Sequence, residues 1–297
     1  MATLSQWIEG ARPRTWPAAF APVLAGTGVA IWQLGEQGAL DWSVVVPRAL
    51  LALGVALSLQ IGVNYANDYS DGIRGTDDDR VGPFRLTGSG SAPPADVKRA
   101  AFAAFAAGAI FGLVLIAVAG MWWALVIGAA AIAAAWLYTG GQRPYGYLGL
   151  GELFVFVFFG LVAVGGTAYA ITPHPNWVVL LVSIAIGLLA CAIMLTNNLR
   201  DIPTDRVAGK RTLAVRLGDR GTRRLFTATL LVPFVLMIPV MLVQWQVVAV
   251  LVALPLAVPP VRIVLGGAQG RDLIPVLGVA GRIELVFSLL LLIGLAL

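Results

Sequence analysis

The chain alternates long apolar stretches with short polar ones. Apolar runs fall near residues 17–33, 46–66, 99–118, 121–139, 151–171, 177–197, 224–243, 246–265 and 278–297. Each approaches the roughly 20 residues that a helix needs to cross a hydrocarbon core about 30 Å thick. None shows the strict alternation of a membrane-barrel strand. The pattern therefore predicts an all-α polytopic bundle of about nine transmembrane helices. Pro47, Pro233, Pro239 and Pro255 fall inside these runs, where neighbouring helices can re-satisfy freed carbonyls. The whole of 1–297 reads as one domain. Two of its connections, roughly 67–98 and 198–223, are long and polar, and such connections tend to carry function.

Composition narrows the class. The strictly apolar residues make up 59% of the 297, the charged ones 12%, and mean hydropathy is +0.87. These values exclude a soluble globular domain and a disordered chain. The net charge of +5 and pI of 9.8 could suggest nucleic acid, but the placement of the charges argues otherwise. With nine spans, nineteen of the 20 lysines and arginines fall on one side, and Arg48 stands alone on the other. The positive-inside rule then predicts a cytoplasmic N-terminus and a multi-pass protein of the cell's inner or plasma membrane. Its partner is the bilayer, not nucleic acid. The single cysteine, Cys191, excludes an internal disulfide and reads as a small core residue.

Candidate chemistry sits where two spans end on the basic side. In the first stretch, Asn64, Asn67, Asp68 and Asp71 recur at three- and four-residue spacing, so a continuing helix would put them on one face. In the second, Asn197, Asp201 and Asp205 are spaced by four, with Asn198 and Arg200 between them and Pro203 as a candidate kink. Two carboxylate clusters at membrane depth repel each other unless cations intervene. Carboxylate and amide oxygens are hard ligands that suit magnesium, which binds through few carboxylates plus substrate phosphates. Arg74, Arg80, Arg200, Lys210 and Arg211 are then candidates to clamp phosphate oxygens. Together these groups describe a diphosphate site. Glu152, which opens an apolar run, is a further intramembrane candidate.

At these residues the chain resembles the UbiA-type intramembrane aromatic prenyltransferases. The segments carrying the resemblance are ARPRTWPAAFAPVLAGT at 11–27, NDYSDGIRGTDDDRVGPFRLTGSG at 67–90, YTGG at 138–141, GLGELFVFVFFG at 149–160 and NNLRDIPTDRVAGKRTLAVRLG at 197–218. Within the family it is most similar to the branch acting on 1,4-dihydroxy-2-naphthoate in menaquinone synthesis. The resemblance implies a helical bundle around a central cavity with two aspartate-rich motifs at its cytoplasmic mouth. There Mg2+, expected as two ions, bridges the diphosphate of a polyprenyl donor. It maps the metal ligands to Asn67, Asp68, Asp71, Asp201 and Asp205. It also raises a substrate role for Arg12 and Arg143. Where the family pattern places a third aspartate four residues after Asp71, this chain has Gly75, and Asp77, Asp78 or Asp79 stands in as the replacement.

Such a site would ionise an allylic carbon–oxygen bond, stabilise charge on the leaving diphosphate and keep the allylic cation dry. Tyr69, Tyr138 and Tyr145 are candidates to face that cation. In this branch the naphthoate acceptor loses its carboxyl group as carbon dioxide. Another aromatic acceptor, such as 4-hydroxybenzoate or homogentisate, is the nearest alternative within the enzyme class, and GELFVF argues against it. A transporter is the alternative from another class. Transporters gather ionisable groups near the midplane, whereas here the carboxylates gather at one mouth.

Overall fold

The computed structural model describes residues 2–74, 84–142 and 144–297. Asp77, Asp78, Asp79, Arg80 and Arg143 lie outside the described residues. The chain runs through α1 (Leu4–Gly10), α2 (Pro17–Glu36), α3 (Trp42–Gly72), α4 (Pro94–Ala119) and α5 (Ala124–Leu137). It continues through α6 (Gly151–Ile171), α7 (Trp177–Val207), α8 (Leu213–Val243), α9 (Trp245–Leu265) and α10 (Gly270–Ala296). No strand occurs among the described residues.

Eight of these helices, all except α1 and α5, are long and apolar enough to cross a membrane. The run at 121–139 was expected to be a ninth span. Gly120, at φ 69°, ends α4, and residues 121–123 are spent in a turn, so α5 is left with 14 residues. At 1.5 Å per residue that is about 21 Å, less than the hydrocarbon core. The chain still changes ends here, from Trp123 packed on Tyr169 to Thr139 bonded to Asn67 at the polar end. Of the prolines expected within spans, Pro47 and Pro233 lie inside α3 and α8. Pro239 and Pro255 occupy the first turns of new helical segments, where the missing N–H has no intrahelical acceptor.

The bundle has a dense half and an open half. Ala25 of α2, Ile186 and Leu189 of α7, Phe226 and Leu230 of α8 and Phe287 of α10 are fully buried in one shared apolar core. Helices α3 to α6, with one face each of α2 and α7, instead line a large cavity. Where α6 meets α7 the backbones almost touch. A Cβ on Gly160 would sit 2.5 Å from the Ser183 carbonyl oxygen and 2.7 Å from the Gly187 Cα. Small residues allow this close crossing, as in other membrane interfaces, and here α6 winds as a π-helix over Phe156–Val162. The outer surface is apolar, with Val126 75% and Leu242 83% exposed, as lipid contact requires.

Helices α3 and α7 each have 31 residues. That is about 46 Å, or ten residues more than a crossing needs. The surplus carries both polar stretches. The second was expected within a long connection at 198–223. Instead α7 stays helical through Pro203 to Val207, and residues 208–212 alone separate it from α8.

Candidate active site

Spacing by three and four turns each polar stretch into a stripe. On α3, Asn64, Asn67 and Asp71 line a single cavity of about 840 Å³; on α7, Asn197, Asp201 and Asp205 line the same cavity. Asn198, Arg200, Lys210 and Tyr138 join them. The polar groups gather at one end. The rest of the wall is apolar or aromatic, including Leu59, Ile127, Tyr145, Phe154 and Phe158. The Tyr145 and Phe154 rings stack with centroids 4.0 Å apart, and Tyr138 lies 5.6 Å from Tyr145.

The Lys210 position is built by the end of α7. Gly209 adopts φ 70°, the Lys210 amide donates to the Asp205 carbonyl at 2.8 Å, and the Gly209 amide donates to Arg206 at 3.2 Å. This pair of bonds is a Schellman cap, which needs a left-handed residue that glycine supplies without strain. It folds the chain back so that the Lys210 Nζ lies 3.6 Å from Asp71 on the other stripe. Asp71 also accepts from the Tyr147 hydroxyl at 2.8 Å and faces Arg85 at 3.9 Å. Lys210 in turn lies 4.5 Å over the Tyr147 ring. Burial, and then the Asp71 charge, push the Tyr147 hydroxyl above the ordinary phenol value, so it remains a donor.

The second stripe is neutralised differently. Arg200 donates to both oxygens of its neighbour Asp201, at 2.7 and 2.9 Å, a buried bidentate pair. The Thr212 hydroxyl reaches Asp205 at 3.5 Å. Asn198 donates to Glu152 at 2.8 Å, and the Glu152 carbonyl accepts from the Cys191 thiol. Glu152 thus supports a cavity residue without lining the cavity itself. On α3, Asn67 accepts from Thr139 at 2.7 Å. Asn64 donates to Ala11 at 3.0 Å and to Thr15 at 2.9 Å, fastening the N-terminal segment to the cavity wall. That segment carries Arg12, whose φ of 53° is the one left-handed non-glycine conformation among the described residues. Such strain persists where surrounding structure holds it, often at functional sites, and Arg12 lines the cavity.

Some expected residues are not brought there. Asp68 is fully buried, and its two oxygens accept from the backbone amides of Leu86 and Thr87 at 2.7 and 2.9 Å. Arg74 is exposed and donates to the Thr139 and Gly141 carbonyls. Arg211 is exposed, and its backbone amide donates to Tyr147. Tyr69 stacks on Trp136 at 6.1 Å, away from the cavity. Conversely, spacing gave no weight to Arg85 or Tyr147. Both come from segments remote from the stripes, although Arg85 lies inside the quoted FRLTGSG.

The donor set fits a hard divalent cation. Three carboxylates and the Asn67 amide face one cavity end. Among the described residues no three His, Cys, Asp or Glu side chains are grouped so as to hold a metal ion by themselves. A cation here would need further ligands from water and substrate phosphate, a coordination magnesium accepts.

Comparisons with known proteins agree with this architecture. The family model described as the UbiA prenyltransferase family matches residues 18–271. The 1,4-dihydroxy-2-naphthoate octaprenyltransferase of Mycobacterium tuberculosis is 55% identical over 97% of this chain and 96% of its own length. The Escherichia coli protein of the same name is 44% identical over 73% of this chain and 70% of its own. Among solved structures, a UbiA homologue from Aeropyrum pernix superposes with a TM-score of 0.71 at 16% identity, covering 93% of this chain and 97% of that one. A homologue from Archaeoglobus fulgidus, bound to GPP and Mg2+, gives 0.63 at 13% identity over 97% and 99%. With the fold shared across nearly the whole chain and the sequence match spanning 18–271, this chain belongs to the UbiA prenyltransferase family.

Proposed function

We propose that the chain transfers a polyprenyl group from polyprenyl diphosphate to 1,4-dihydroxy-2-naphthoate, releasing diphosphate and carbon dioxide and giving demethylmenaquinol. The observation that carries this is one cavity with a carboxylate-and-cation end and an apolar, aromatic body. The names of the bacterial relatives support the acceptor.

Asn67, Asp71, Asp201 and Asp205 are the residues that would hold Mg2+, as two ions. When bound, the metal neutralises charge on the departing diphosphate. Lys210 and Arg85 offer charge-assisted donors to the same oxygens, and Arg200 orients Asp201. As the allylic bond ionises, these fixed charges act where negative charge develops. Tyr138, Tyr145 and Phe154 present ring faces to the cationic carbon, and the apolar wall keeps water from it. Arg12 supplies a guanidinium for the acceptor's carboxylate. The isoprenoid tail leaves the cavity into lipid. The mouth opens to the cytoplasm, by the nineteen-to-one distribution of basic residues.

The test is incubation of purified protein with the naphthoate and prenyl diphosphates of several lengths, with and without magnesium. Magnesium-dependent formation of decarboxylated product is expected; preference for 4-hydroxybenzoate would overturn the acceptor. Cysteines placed at His174 or Gln244 should be labelled from outside, and at Ser89 or Arg220 from inside. Labelling of position 89 from outside would overturn the orientation.

A further inference from the structure

The aspartate directly after Asn67 has a different task from its neighbours. At 100° per residue, Asp68 is turned well away from Asn67 and off the stripe shared by Asn67 and Asp71. Its carboxylate is fully buried and accepts from two consecutive amides, Leu86 at 2.7 Å and Thr87 at 2.9 Å. Those amides open a compact turn closed by Ser89 on Arg85, Gly90 on Thr87 and Ala92 on Leu86. Leu86 seats the turn in a small core with Tyr65 and Ala11. Against the end of α3 the fit is tight: a Cβ on Gly72 would lie 2.4 Å from the Thr87 Cγ2. The residue immediately before the two gripped amides is Arg85, whose side chain lines the cavity and faces Asp71 at 3.9 Å.

We propose that Asp68 is a positioning residue rather than a metal ligand: by gripping the Leu86 and Thr87 amides it presents Arg85 to the diphosphate end of the cavity. Two bonds to successive amides fix the orientation of the peptide between them, and so the direction in which Arg85 leaves the turn. The aspartate-rich stretch then has two functions on adjacent residues. Asp71 faces the substrate, and Asp68 holds the turn that brings a cation beside Asp71. This assignment rests on reading that cavity end as a diphosphate site.

The full-length enzyme should be assayed as wild type and as Asp68→Asn, Arg85→Ala, Asp71→Asn and the Asp68→Asn/Arg85→Ala double variant. Prenyl diphosphate is varied first, then magnesium. Asp68→Asn and Arg85→Ala should each lower kcat/KM for the donor, by up to roughly 10- to 150-fold for loss of a charged contact. The magnesium half-saturation point should stay within about twofold of wild type in Asp68→Asn and rise in Asp71→Asn. The double variant should be no worse than Arg85→Ala alone, because two residues acting through one contact are not additive. A magnesium shift in Asp68→Asn equal to that in Asp71→Asn would make Asp68 a ligand and overturn the proposal. So would multiplied losses in the double variant. If Asp68→Asn does not fold, judged by thermal unfolding in detergent, Asp68→Glu is read by the same criteria, since its longer side chain displaces the turn. Failure of the reading beneath would look different: wild-type enzyme would transfer without magnesium.

Discussion

Helices α3 and α7 carry near-repeats of one pattern, and the bundle uses them differently. Each has an asparagine followed four residues later by an aspartate, Asn67 and Asp71 on one, Asn197 and Asp201 on the other, and all four line the cavity. The residue after each asparagine serves the scaffold: Asp68 holds the Leu86–Thr87 turn, while Asn198 holds Glu152. The cations arrive differently as well. Asp201 is paired by its own neighbour Arg200, whereas Asp71 meets Lys210 and Arg85 from elsewhere in the chain. The α7 half therefore carries its counter-charge locally, and the α3 half depends on tertiary closure. Similar motifs do not imply similar sensitivity to change.

The largest expected effect falls on the shared part of the pattern. Asp71→Ala and Asp201→Ala should each reduce kcat on the order of 100- to 1,000-fold, with protein still inserted and folded. Near wild-type turnover by folded Asp71→Ala would remove α3 from the metal site and break the comparison at its root.

Lys210→Ala comes next. Loss of one charged contact to the donor should lower kcat/KM for prenyl diphosphate by roughly 10- to 150-fold, with the naphthoate KM little moved. Lys210→Arg should recover part of it, since charge returns without the geometry. Unchanged kinetics at limiting donor would reduce Lys210 to an orienting charge, leaving the two halves joined only through metal.

Glu152 tests the scaffold role on α7. Glu152→Ala leaves the Asn198 amide without its partner, a loss of about 1–3 kcal/mol read as lowered thermal stability in detergent. Glu152→Gln keeps an acceptor and should restore most of it. Equal losses in both variants would mean that the carboxylate charge matters more than the hydrogen bond.

The smallest effect is expected at Tyr147. Tyr147→Phe removes one donor to Asp71, about 0.5–1.5 kcal/mol, or a change of roughly 2- to 12-fold in turnover. Because its hydroxyl is held above the ordinary phenol value, the protonated donor persists to higher pH than in a free tyrosine. Wild type and Tyr147→Phe should therefore share the same alkaline limb up to about pH 10. A limb present only in wild type would show that Tyr147 ionises within the working range.

What the sequence determined by itself is what contiguous residues dictate. Runs of about 20 apolar residues commit the chain to membrane helices, because unpaired backbone groups cannot remain in lipid. Spacing by three and four commits Asn64, Asn67 and Asp71, and Asn197, Asp201 and Asp205, to stripes, because 3.6 residues make a turn. The fold at Gly209 before Lys210 is also a local matter, since a left-handed cap favours glycine. Only the tertiary structure decided which side of each stripe faces the cavity and what meets it there. Periodicity grouped Asp68 with Asp71, yet the amides that claim Asp68 lie 18 and 19 residues further along. Arg12, Arg85 and Tyr147 reach the same wall from segments with no periodic relation to it. Their convergence follows from how α2 to α7 pack, and contacts between distant segments leave no period in the sequence for a local reading to find.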